Sequence, residues 1–265
     1  MRATGLRLSV TLLTVIPWRR PGDDTATAPP RATAAAAMAW APAVGLLLGV
    51  IASAVLLAAD HPLGAGPLTA AGLAVGSLAL LTRGLHLDGL ADLADGLASG
   101  KPAPAALDIM RRSDIGPLGT VTLILTLLIQ VAALSQAESA GHGRGPAALI
   151  AAVVTGRLAL TWACRRGVPA ARPDGLGALV AGSVRPAVPA AVTVAALAAA
   201  AISAAAGGAI GWTLPLAVAA GLAAAFAVQR HAVRRLGGIT GDVLGALAEI
   251  AATVTLVVAA MGPAA

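Results

Sequence analysis

Three aspartates spaced for one helix face, Asp88, Asp92 and Asp95, stand at i, i+4 and i+7 in the stretch Gly84-Leu-His-Leu-Asp-Gly-Leu-Ala-Asp-Leu-Ala-Asp-Gly-Leu-Ala98. On a helix those positions share a side. Only Leu, Ala and Gly separate them, so no cation of the segment neutralises the carboxylates. Like charges placed this way repel unless a cation sits among them. Hard carboxylate oxygens suit Mg²⁺, which binds through one or two carboxylates together with substrate phosphates. A solvated acidic helix face is the simpler alternative. The chain holds only 12 acidic residues in 265, and three of them within eight positions weigh against it. His86, two residues before Asp88, is a candidate base, a candidate metal ligand, or a residue at headgroup level.

Two further stretches carry chemistry of the same kind. Asp108-Ile-Met-Arg-Arg-Ser-Asp-Ile-Gly-Pro-Leu-Gly119 places Arg111 and Arg112 side by side. A guanidinium matches phosphate oxygens with two parallel hydrogen bonds, although juxtamembrane arginines also meet lipid headgroups. Ser113 is a candidate helix cap, and Gly116 and Gly119 allow close approach of backbone or ligand. In Arg234-Arg-Leu-Gly-Gly-Ile-Thr-Gly-Asp-Val-Leu-Gly-Ala246, Gly237, Gly238 and Gly241 free the backbone to curl around a ligand. Thr240 offers a hydroxyl. Asp242 stands where a helix begins, as an N-cap, a fourth metal ligand, or both. A Gly-rich turn that opens a helix is a common phosphate cradle.

These residues must be held by membrane helices. The chain is 58% hydrophobic and 11% charged, with a mean hydropathy of +0.85, where a soluble domain carries roughly 25% charged residues. The reading is an all-α, polytopic integral membrane bundle forming a single domain over residues 1–265. Crossing a bilayer takes about 20 apolar residues. Seven segments qualify: 38–59, 68–85, 115–134, 146–163, 186–206, 212–228 and 243–261. The apolar run Leu8–Ile16 ends in Pro17-Trp-Arg-Arg20 and not in a small-residue cleavage site, so it reads as an interfacial helix and not as a signal peptide; residues 21–31 read as a polar, Pro-rich loop. With the N-terminus inside, the inside regions hold 16 of the 18 Lys and Arg residues, counting Arg83 at its helix end. This asymmetry sets the orientation and puts the motifs above on the cytoplasmic side of a cytoplasmic (inner) membrane. The net charge of +6 is therefore topogenic. With no Tyr and one Phe, stacking platforms for nucleic acid are scarce. A lone cysteine, Cys164, excludes an intrachain disulfide and a cysteine-based zinc site. Arg157 and Glu249 lie within spans at similar depth. Buried charges in lipid mark a site or pair with one another, and the two are expected to form the floor of the site.

Taken together, Gly-Leu-His-Leu-Asp-Gly-Leu-Ala-Asp-x-x-Asp-Gly, Ile-Met-Arg-x-Ser-x-Ile-Gly-x-x-Gly and Gly-Gly-Ile-Thr-Gly-Asp-x-x-Gly-Ala resemble the cobalamin synthase family, the adenosylcobinamide-GDP ribazoletransferases. The likeness runs from Leu-Thr-Val-Ile-Pro-Trp18 to the last helix. One departure is local: family members carry Met-Lys/Arg-Asp-Ser-Arg where this chain has Met110-Arg-Arg-Ser-Asp114, with acidic and basic positions exchanged. The resemblance implies the last step of cobalamin nucleotide-loop assembly. Adenosylcobinamide-GDP would react with α-ribazole, or its 5′-phosphate, to give adenosylcobalamin, or its phosphate, and GMP, with Mg²⁺ as cofactor. On that footing Asp88, Asp92, Asp95 and Asp242 are the expected metal ligands. Asp95 is the expected acceptor of the hydroxyl proton, with His86, Arg111 and Arg157 as further catalytic groups. Gly237, Gly238, Thr240, Gly241, Arg112 and Glu249 are the expected substrate contacts. Membrane lipids, a second copy of the chain or other late-pathway enzymes are expected partners.

Rival readings make different demands. A CDP-alcohol phosphotransferase uses Asp-Gly-x-x-Ala-Arg with two further aspartates after a longer spacer, and this chain lacks that Arg. A polyprenyl transferase wants two separated Asp-rich motifs. A transporter would place its charges at the midplane between inverted repeats, whereas here they gather at one end.

Overall fold

A computed structural model describes residues 2–18, 29–112, 114–141, 143–207 and 213–261. The expected cap Ser113 and most of the expected loop 21–31 lie outside the described residues. Eleven helices follow one another among those described: α1 (Arg2–Leu13), α2 (Arg31–Asp60), α3 (Gly66–Leu81), α4 (Leu85–Ala98), α5 (Ala103–Ile109), α6 (Pro117–Ser139), α7 (Arg144–Ala163), α8 (Gly175–Val180), α9 (Ala187–Gly207), α10 (Thr213–Leu236) and α11 (Gly241–Ala260). The only bridges of β type among the described residues are isolated, Arg165 with Val184 and Ala170 with Ile239.

Each apolar segment expected to span is helical, and among the described residues five or six of the seven expected crossings qualify by length and composition. Five helices (α2, α6, α7, α10 and α11) are long and apolar enough to cross a membrane. A sixth crossing exists if α3 and α4 are taken together, and these are bent by 88° at their junction. α9 belongs with the shorter apolar helices, its stretch running over Ala187–Ser203. The bend has a local cause. Arg83 and Gly84 both adopt left-handed backbone, at φ 57° and 65°, and two such residues in succession cannot continue a right-handed helix. The preceding chain braces the corner, since Val15 donates its N–H to the Leu81 carbonyl at 2.7 Å. α4 therefore turns away from the direction of α3.

α11 is the central element. It packs against α10, α7, α4 and α6 and is buried along its length from Val243 to Ala260. Its neighbours approach closely because small residues line the contacts; at Gly156 of α7 an added Cβ would lie 2.6 Å from the Ala248 carbonyl oxygen. Without water in the hydrocarbon layer, such backbone proximity and van der Waals packing hold membrane helices together. The lipid side is correspondingly apolar: α6 exposes Leu118, Val121, Ile124, Leu125, Leu128 and Ile129.

Candidate active site

The aspartate helix α4 lies across the N-terminal end of α11, and Gly89 sets the distance. A Cβ there would stand 2.7 Å from the Asp242 carbonyl oxygen and 2.9 Å from its Cα. One turn on, Gly245 of α11 faces the His86 backbone in the same way, at 3.1 Å. This backbone-to-backbone fit carries Asp88 and Asp92 to Asp242, three carboxylates from two elements far apart in sequence. Their mutual influence is direct. Burial and the charges of Asp88, Asp242 and Asp95 push the Asp92 carboxyl up to about 7, with only Arg172 acting the other way.

Asp88 and Asp242 also line a cavity of about 440 Å³, within the range of small-molecule sites. Its far wall comes from the loop after α7 and from α8: Arg172, Asp174 and Gly175 to Gly177 face it, with Arg111 at the edge. Arg111 Nη2 donates to both oxygens of Asp174, at 2.6 and 2.9 Å. Arg172 Nη2 donates to the Leu107 carbonyl at 2.5 Å, while its Nη1 stands 3.8 Å from Asp242 Oδ2. At the mouth of α11, Thr240 is the N-cap. Its hydroxyl accepts from the Val243 N–H at 3.2 Å and donates to Asp242 Oδ2 at 3.1 Å. The turn is tied to the neighbouring loop by Ile239 N–H to Pro169 O, 2.9 Å, and Ala171 N–H to Ile239 O, 3.0 Å.

With that geometry established, comparison with known proteins is decisive. The cobalamin-5-phosphate synthase family model matches residues 5–260. The chain belongs to the cobalamin-5-phosphate synthase family. An adenosylcobinamide-GDP ribazoletransferase of Frankia casuarinae is 46% identical over 267 residues, covering 96% of this chain and 94% of its own. Proteins of the same name from Nocardioides sp. and Stutzerimonas stutzeri are 38% and 36% identical, and each comparison covers at least 94% of both chains. No solved structure matches the chain.

Within this cobalamin-5-phosphate synthase fold the expected site residues divide. Asp88, Thr240, Gly241, Asp242, Arg111 and His86 meet at the cavity. Asp92 stands behind it, coupled to the same carboxylates. Gly237 and Gly238 do not line it. A Cβ at Gly238 would run into the backbone of Pro169–Ala171, so this glycine serves the tie between the two loops. Arg112 is exposed and lies outside the cavity wall.

Asp95 does not line the cavity and caps a helix. Its Oδ2 accepts from the Gly116 N–H at 2.7 Å and its Oδ1 from the Gly119 N–H at 2.9 Å. Both oxygens satisfy otherwise unpaired donors at the start of α6, where a negative charge also favours the helix dipole. Asp95→Ala should therefore loosen α6. Hydrogen bonds to a charged group are worth about 1.5–3 kcal/mol each, so the two are worth about 3 kcal/mol or more together, and thermal unfolding in detergent should show a fall of about 5–10 °C. An unchanged midpoint would remove the capping role.

Beneath the cavity, His86 is 2% exposed, and its Nδ1 has no hydrogen-bond partner among the described residues. Burial and the charge of Arg157 hold its imidazole well below the ordinary value, so it is neutral at pH 7. Arg157 and Glu249 share a void of about 30 Å³ but do not form a direct ion pair; Glu249 Oε2 accepts from Gln130 Nε2 at 2.9 Å. Sequence reasoning missed Gln130, Arg172 and Asp174 as partners. A lone amide in the apolar run of α6 was the available signal for the first. The other two sit in a loop whose arginines read equally well as topogenic.

The carboxylates of Asp88, Asp92 and Asp242 are neighbours and not a closed cage. Among the described residues, the one trio with ligand atoms all within 4.8 Å is Asp60, His61 and Glu138, at the opposite helix ends. An open acidic set fits an ion that keeps waters and substrate phosphates in its shell, as Mg²⁺ does.

Proposed function

We propose that this chain is an Mg²⁺-dependent adenosylcobinamide-GDP ribazoletransferase of the cytoplasmic membrane, with its site open to the cytoplasm. It joins adenosylcobinamide-GDP to α-ribazole or its 5′-phosphate and releases GMP. The observation that carries this reading is the meeting of Asp88 of α4 with Asp242 of α11 at a cavity that Arg111 and Arg172 also face, with Asp92 coupled to both carboxylates beside it. The Asp92 carboxyl, raised first by burial and then by the charges of Asp88, Asp242 and Asp95, supports a bound cation, which would relieve that mutual repulsion.

Asp88, Asp92 and Asp242 would hold Mg²⁺, which when bound neutralises diphosphate charge and stabilises the departing phosphate. Phosphoryl transfer rests mainly on positioning and charge neutralisation, and the chain's own groups are laid out for both. Arg172 and Arg111 take phosphate oxygens, Arg111 by exchanging Asp174 for substrate. The α11 N-terminus, with Thr240 and Gly241, favours an anion at its free N–H groups. Asp88, exposed on the cavity wall, receives the proton of the attacking ribose hydroxyl, one other than the 5′ position, which carries the phosphate when α-ribazole 5′-phosphate is the acceptor. Asp95 has both oxygens committed to α6 and serves as a positioning residue. Neutral His86 forms the floor, and the Arg157–Gln130–Glu249 layer supports it from below.

The test is GMP release from adenosylcobinamide-GDP and α-ribazole phosphate by the purified protein in lipid vesicles, with and without EDTA. GMP formed together with a stoichiometric corrinoid product, and abolished by EDTA, is the expected result. GMP unaffected by EDTA would remove the metal and keep the transferase. No GMP from folded protein would remove the activity itself.

A further inference from the structure

At the end of the bundle that carries the cavity, a second opening runs between α7 and α10. Two cavities, of about 560 and 300 Å³, share Phe226, Gln229 and Arg230 and so form one cleft. Its two ends differ in chemistry. Towards the bundle centre the walls are apolar, with Ala159, Trp162, Leu222 and Phe226. Towards the helix ends they are basic, with Arg165, Arg230 and Arg234, and neither wall contains an acid. Phe226, Arg230 and Arg234 follow at i, i+4 and i+8, one stripe along α10.

Arg165 is fixed in place. Its Nη1 donates to the Trp162 carbonyl at 2.9 Å and to Gln229 Oε1 at 3.0 Å. Its guanidinium stands 4.9 Å from the centre of the Phe226 ring and 5.8 Å from that of Trp162. Arg230 and Arg234 are exposed, and no carboxylate pairs with them among the described residues.

We propose that this cleft binds one anionic phospholipid, with its phosphate between Arg230 and Arg234 and an acyl chain along Trp162 and Phe226. Three features select that occupant. The cleft turns from apolar to basic along α10, the order in which a lipid turns from chain to headgroup. It lies where α7 and α10 end, at the level of a bilayer surface. Its unopposed guanidinium groups call for net negative charge, which a zwitterionic lipid does not supply. The lipid would also touch the catalytic machinery indirectly, because Gly167 to Pro169 of its wall run on into the Ala170–Ile239 bridge behind Thr240.

Native mass spectrometry of the detergent-solubilised protein with phosphatidylglycerol or phosphatidylcholine tests this. The wild type should retain one phosphatidylglycerol, preferred over phosphatidylcholine by about tenfold or more. The double variant Arg230→Gln/Arg234→Gln should lose that preference. Ala227→Trp, which fills the apolar slot without changing charge, should lose both lipids. Equal retention of the two lipids by the wild type, or an unchanged preference in the double variant, would overturn the proposal. Displacement of the lipid by millimolar inorganic phosphate would also overturn it, because the cleft would then be a site for free anions. The readout is lipid retention, so it stands apart from the outcome of the GMP assay.

Discussion

Asp92→Asn should lower kcat by at least about a thousandfold while the protein still inserts and folds. Neutralising transition-state charge through a metal is worth several kcal/mol, and each 1.36 kcal/mol is a factor of ten in rate. The substitution keeps shape and removes charge. It takes one ligand from the set on α4 and α11 and leaves the Gly89 contact untouched. Folding should not suffer, because Asp92 is repelled by Asp88, Asp242 and Asp95, with Arg172 alone in opposition. The unfolding midpoint without Mg²⁺ should stay level or rise slightly. The stabilisation that added Mg²⁺ gives the wild type should shrink in the variant. Activity and melting temperature measured on one preparation separate the two effects. A wild-type rate in the variant would sink the assignment of Asp92 to the metal.

The second large effect is expected far from any charge. Gly89→Ala adds one methyl group, yet that methyl would stand 2.7 Å from a backbone oxygen of Asp242 and 2.9 Å from its Cα. Backbone cannot swing aside as a side-chain tip can, so α4 must move away from α11. Overpacking of this kind costs about 1–3 kcal/mol. The larger consequence is geometric: displacing Asp88 and Asp92 from Asp242 by about 1 Å is expected to cost about a hundredfold in rate. The variant should bind Mg²⁺ more weakly, though every carboxylate is still present. Isothermal titration with Mg²⁺ alongside the GMP assay checks this. Full activity in Gly89→Ala would mean that the contact between α4 and α11 does not set the site.

Much of this arrangement was legible in the residues. Seven apolar runs appear as helices because hydropathy and length dictate them, and the Asp-bearing stretch forms its own helix with Asp88, Asp92 and Asp95 spaced as expected. The direction of that helix was not legible. An 88° turn depends on the left-handed backbone at Arg83 and Gly84, and nothing in the hydropathy distinguishes a span that ends from one that folds over. Asp95 shows a second limit. Its spacing places it with the other aspartates, but its oxygens are claimed by Gly116 and Gly119, more than twenty residues later. A tertiary contact reassigns one member of a local motif. The glycines of the third motif divide in the same way: Gly241 faces the cavity and Gly238 faces protein. A sequence displays the conformational freedom that glycine confers, but not the neighbour for which it is needed.

The bend after α3 also alters the membrane. α3 has 16 residues, a length of about 24 Å at 1.5 Å per residue, against a hydrocarbon layer of about 30 Å. Its apolar length therefore ends short of the far surface, and α4 turns off at that depth. A short span is accommodated by thinning of the bilayer, by snorkelling of flanking residues or by association with neighbours; where the bilayer thins or its headgroups stand above α4, the local surface is lowered over the aspartate helix. In those cases the carboxylates would sit in a depression whose rim is partly lipid. Substrates carrying several phosphates would then pass below the headgroup plane to reach them, into a region poorer in water, where each arginine would act more strongly than it does in open solution. The membrane would then be a wall of the reaction chamber as well as the place where the enzyme resides.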